Sequence, residues 1–115
     1  MNDLSGYGEL TLRGEVMPFK FGTNAYRLFC KHRSIELGDI GEAFKDPFAI
    51  LELAFFAHQT AVRMNGGVPK LDLDTFVDMV GDEQGALSEF ERLIVASKMW
   101  GYTVNELAEG AKKKS

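Results

Sequence analysis

The sequence predicts an α+β chain, mainly helical, in which an N-terminal β-hairpin packs on a bundle of four to five helices. Three patterns carry that expectation. The stretch "ELTLRGEVMPFKF", residues 9–21, alternates apolar and polar side chains on either side of Arg13-Gly14, as the two strands of a tight hairpin do. Beyond residue 22 the apolar spacing lengthens to three and four, the period of helices. Short turns join these segments, with no repeat, low-complexity tract or linker to divide the chain, so residues 1–115 are read as one domain.

In the hairpin, a loop at Arg13-Gly14 pairs Leu12 with Glu15 and Leu10 with Met17. Leu10, Leu12, Met17, Phe19 and Phe21 then share one face, while Thr11, Pro18 and Lys20 turn outward. A two-stranded ribbon is marginal alone, so the apolar face must lie on helices. The first helix, at about 23–33, is expected to be capped by Thr23 and to turn Ala25, Tyr26 and Phe29 inward. A second, weaker helix at about 35–44 uses Leu37, Ile40 and Phe44, and its two glycines, Gly38 and Gly41, invite a break. The third helix, at about 47–65, has Asp46 as N-cap and Pro47 in its first turn, and stops at Gly66-Gly67. Behind Asp72, Leu73, Phe76, Val77 and Val80 fall at positions i, i+3, i+4 and i+7 of a short helix at about 73–80. The last long helix, at about 83–100, carries Leu87, Phe90, Leu93, Ile94 and Trp100 and ends at Gly101. Thr103 and Glu106 suggest a capping box for a further turn, and residues from about 110 to 115 a flexible tail.

Charge and composition limit the functions available. A net charge of −4, with Lys112 to Lys114 the one dense basic run, speaks against nucleic acid as the main partner. No apolar stretch approaches the ~18 residues of a membrane span. One cysteine, Cys30, beside Leu28 and Phe29, reads as a buried thiol in a reducing compartment, hence the cytoplasm. Cys30 and His32 diverge by about 200° around their helix, and no metal site is expected. Asp72, Asp74 and Asp78 lack the glycine and terminal glutamate of a calcium loop and read as helix-start charges. His58 reads as a histidine at a core boundary, and "GYG" at 6–8 has neither the third glycine nor the following Gly-Lys of a phosphate cradle. Neither catalytic residues nor a cofactor site emerge from spacing.

The informative segment is the third helix, "DPFAILELAFFAHQTAVRMNGG", unusually apolar for a small chain. Ile50, Leu53, Ala54, Ala57, Ala61 and Met64 crowd one broad core side. Glu52, Gln59 and Arg63 share a narrow polar stripe opposite, with Phe56 inside it and Phe48 and Phe55 along its margin. Two readings of those rings stand. Either the hairpin or the last helix covers them, making a helix buried nearly all round, or Phe56 and a neighbour stay exposed to anchor another protein chain. On the second reading the partner-binding set is Phe48, Glu52, Phe55, Phe56, Gln59 and Arg63.

Laid out in order, "LTLRGEVMPFKFGTNAYRLFCKHRSIELGDI", "DPFAILELAFFAHQTAVRMNG" and "PKLDLDTFVDMVGD" resemble the tail assembly chaperones of long-tailed bacteriophages and related prophages, over about residues 9–82. Four successive features carry the resemblance: the strand-turn-strand start ending in Phe19 to Phe29, the short helix at Ile35 to Ile40, the apolar Ala-rich run at Ile50 to Ala57, and the acid-spaced helix at Leu71 to Val80. The resemblance implies a non-enzymatic protein of the host cytoplasm. Its partners would be the tape-measure protein and tail-tube subunits, bound while the tail is built and released before the virion is complete. Self-association stays open. In many such phages the chaperone gene ends at a slippery sequence that appends a second domain by frameshift, and the A-rich codons of "KKKS" are compatible with one. A coding sequence without a slippery heptamer over Lys112 to Lys114 would dispose of that idea. Two alternatives remain: a structural virion component, such as a tail-tube or head-to-tail joining protein, and a small enzyme whose carboxylates and histidine meet only on folding.

Overall fold

The computed structural model describes residues 5–99, 102 and 103. Strands β1 (Tyr7–Leu12) and β2 (Glu15–Lys20) form the antiparallel hairpin, and its register is the expected one, Leu12 opposite Glu15 and Leu10 opposite Met17. Arg13 and Gly14 have φ of 50° and 80°, the paired positive values that let a two-residue turn follow the twist of its strands. Leu12, Met17, Phe19 and Phe21 are buried and Leu10 is half-buried, whereas Val16 on the other face is 62% exposed.

Helix α1 (Thr23–Arg33) buries Ala25, Tyr26 and Phe29. Its N-cap is Gly22, not Thr23: Gly22 is held extended by a parallel bridge to Lys98, and its carbonyl accepts the Tyr26 amide. Ser34, at φ 56°, ends the helix. The second helix expected over 35–44 is divided. A single 3-10 turn, Leu37–Asp39, leads into the one-turn helix α2 (Ile40–Ala43). At the start of that turn the Asp39 amide donates to the Glu36 carbonyl at 2.9 Å, three residues back, and the Asp39 carboxylate accepts the Glu36 amide at 3.3 Å, so the segment opens as a capped 3-10 turn. Ile40 is buried and Leu37 and Phe44 are half-buried.

Helix α3 (Pro47–Met64) begins as its sequence requires, with Asp46 Oδ1 accepting the Phe48 amide at 3.0 Å. It is the hub, packing on β2, α1 and the two later helices. Ala49, Leu53, Ala54, Phe55, Ala57, His58, Thr60 and Ala61 are buried, nearly encircling the helix. Met64, expected in the core, is 59% exposed because the last turn, with Arg63 and Asn65, projects into solvent. Helix α4 (Leu73–Gly81) starts where Asp72 Oδ1 accepts the Thr75 amide at 2.7 Å, and buries Phe76, Met79 and Val80.

Helix α5 (Ala86–Ala96) is shorter at both ends than the expected 83–100. Gly85, at φ 88°, stands outside helical geometry, and Ser97 is extended, so Lys98–Met99 (β3) turns back to pair with Tyr102–Thr103 (β4). Thr103, expected to start a further helix, is therefore in a strand. Trp100, Gly101, Glu106 and the tail at 110–115 lie outside the described residues. Leu87 is 37% exposed, while Phe90, Leu93 and Ile94 are buried.

Two features close the core. The Phe19 ring lies 5.0 Å from Phe90, 6.0 Å from Phe76 and 5.6 Å from the His58 ring, so one β2 side chain joins the hairpin to α3, α4 and α5. At the opposite edge of α1 the Tyr26 hydroxyl meets Ser97 Oγ at 2.5 Å. Ser97 Oγ donates to the Ile94 carbonyl at 2.5 Å, which leaves the tyrosine as donor to the serine. Burial pushes the Tyr26 phenol up to about 12.

Candidate partner-binding surface

Glu52 and Phe48 stand one turn apart on α3, and their surroundings decide which part of the expected stripe is available. Glu52 is half-buried and held by α1: Arg33 Nε donates to Oε1 at 2.6 Å and Arg33 Nη2 to Oε2 at 3.2 Å. The fork is bidentate, the arrangement in which a guanidinium matches a carboxylate best. Arg33 also reaches Asp46 Oδ2 at 3.1 Å and lies 5.9 Å over the Phe29 ring, so it pins the end of α1 to the start of α3. The hydrogen bond to Glu52 is the leading reason the guanidinium is held above its ordinary pKa. The Phe48 amide is the leading reason the Asp46 carboxyl is held below the usual range.

The aromatic residues of the stripe separate. Phe55 is only 6% exposed, packed 5.9 Å from the Phe76 ring, so α4 removes it from the surface. Phe56 is half-buried, its ring edge-on to Phe55 at 5.3 Å and 5.5 Å from His32 of α1. Neither is the open anchor that the stripe pattern allowed, because α1 and α4 flank α3 on those two sides. Gln59 is half-buried and Arg63 exposed. Phe48 alone among the rings stands clear, 61% exposed.

Beside Phe48 runs an open groove of about 490 Å³ between α3 and α4, lined by Phe48, Glu52, Leu73, Asp74, Val77 and Asp78. Four of these were not expected at a surface site. Their signal in the sequence was the spacing: Leu73 and Val77, and Asp74 and Asp78, each four apart, form two adjacent rows on α4. Read as helix-start charges, the acids explain the cap at Asp72 but not Asp78, which lies at the beginning of the last turn. A second groove, of about 370 Å³, lies between β2, the end of α3 and the 68–71 loop, with Val16 and Val68 exposed at its rim. His58 forms part of its wall, fixed by a hydrogen bond to the Pro18 carbonyl at 2.9 Å. A carbonyl only accepts, so Nδ1 carries the proton there.

Among the described residues no group of three or more His, Cys, Asp and Glu side chains is placed to hold a metal ion, and no helix is long and apolar enough to cross a membrane. Cys30 is half-buried instead of fully buried, and its thiol is pushed up first by burial and then by the charge of Asp39, which keeps it protonated. No family model, curated protein or solved structure matches this chain.

Proposed function

We propose that this chain is an assembly chaperone for long bacteriophage tails. It holds the tape-measure protein, and in passing the tail-tube subunits, while the tail is assembled, and it acts by surface contact rather than covalent chemistry. The observation that carries the reading is the Phe48 ring, 61% exposed at the start of a helix whose middle turns are buried, and beside a groove of mixed apolar and acidic side chains. An aromatic side chain kept in water at a groove suits a transient client, since rigid rings supply much contact area at little entropic cost. The order of sequence features over residues 9–82 supplies the client class.

The partner set shrinks accordingly. Phe48 and the outer edge of Glu52 remain at its centre, Gln59 and Arg63 at its margin, and Phe55 and Phe56 serve packing. Phe48→Asp is therefore the informative variant. Co-purification of tape-measure fragments with the wild-type chain should fall at least tenfold with Phe48→Asp at unchanged circular dichroism. Equal capture removes this surface from the function. A chaperone should also be missing from purified virions, and stoichiometric presence there would instead favour a structural tail component.

A further inference from the structure

We infer that the α3–α4 groove receives an amphipathic helix with basic flanks, contributed by a partner chain. This rests on the reading above only for where that helix comes from. Its chemistry follows from the groove itself. Phe48 and Glu52 on α3, and Leu73 and Val77 on α4, are pairs four residues apart, so both walls are ridges of the kind that interlock with the ridges of a third helix. Neither wall offers a strand edge, and an extended peptide would find no backbone ladder to join.

Charge selects among helices. Glu52 is already neutralised by Arg33. Asp74 and Asp78 repel one another across one turn of α4, and no ion pair to either exists among the described residues. Helix α4 carries no basic side chain in its last turn either. A Lys or Arg on the rim of an incoming helix relieves that repulsion as its apolar face covers Phe48, Leu73 and Val77. An acidic rim would add to the repulsion.

Two labelled 18-residue peptides, each with a leucine face, one flanked by Lys and the other by Glu, are titrated with the full chain and followed by fluorescence anisotropy. The Lys peptide is expected to bind at least tenfold tighter than the Glu peptide, and to weaken as salt is raised. D74N/D78N should cut its affinity about tenfold and flatten the salt dependence, and Phe48→Ala should weaken both peptides. E83Q/E91Q removes the same two charges from exposed positions outside the groove and should change nothing. Equal binding of the two peptides, or equal loss in both double variants, overturns the inference. So does a dimer in sedimentation that Phe48→Ala dissolves, since the occupant is then a second copy. Tape-measure capture that survives D74N/D78N sinks this inference and leaves the tail function standing. Lys-peptide binding without any tail-protein capture does the reverse.

Discussion

A methyl group added at Gly6 would lie 2.3 Å from the Phe21 carbonyl oxygen and 2.8 Å from Ser97 Cβ. Gly6 also has φ 74°, where an L side chain is strained, and its carbonyl already accepts the Phe21 amide at 2.9 Å. Gly6→Ala should therefore lower stability by about 2–3 kcal/mol in urea denaturation. Tyr26 makes a pH-dependent prediction. Its folded value of about 12 lies above the ordinary 10.0, so above pH 10 the unfolded chain releases the phenolic proton that the folded chain keeps. Stability present below pH 10 is lost as pH rises toward 12, by about 3 kcal/mol at about 1.4 kcal/mol per unit. Tyr26→Phe should remove that alkaline loss, and at pH 7 cost about 1 kcal/mol for the hydrogen bond to Ser97. Residue environments were legible where strand alternation decided them, as for Leu12, Met17, Phe19 and Phe21. They were not legible around α3, because Phe48, Phe55 and Phe56 are chemically identical and only their neighbours set them apart.

Caps and turns made most elements readable. Asp46 and Asp72 each do what a short acceptor before a helix should do, and the hairpin loop falls on the two residues able to take positive φ. Asp72→Ala should accordingly lower the midpoint of thermal or urea unfolding, with α4 the first helix to lose amide protection in hydrogen exchange. The misjudged helix ends have long-range causes. The end of α5 is set by Ser97, whose partner Tyr26 is 71 positions away, and the N-cap of α1 moves to Gly22 because Lys98 pairs there. A window of local sequence contains neither fact. The break near Gly38, by contrast, is the one that Gly38 and Gly41 invite, and it falls inside a turn capped by Glu36 and Asp39.

At the level of the molecule the core has a junction at the Phe19 ring, which lies among Phe21, His58, Phe76 and Phe90. Phe19→Ala should cost about 3–5 kcal/mol, a large part of the 5–15 kcal/mol available to a small domain. Near-UV circular dichroism and amide exchange should report the loss in the hairpin and in α3 to α5 together. The fold class was legible because one hairpin pattern and several helical periods leave few ways to cover the ribbon. The α3–α4 groove was not, since Phe48 and Asp74 belong to separate elements and become neighbours only when the helices pack.

The contact of Phe90 with Phe19 also sets a timetable for synthesis. The greasy side of the ribbon leaves the ribosome before α5, which carries Phe90 against Phe19. A nascent polypeptide halted before residue 86 lacks the Phe90 ring against Phe19 and must leave that part of the ribbon wet or borrow cover for it.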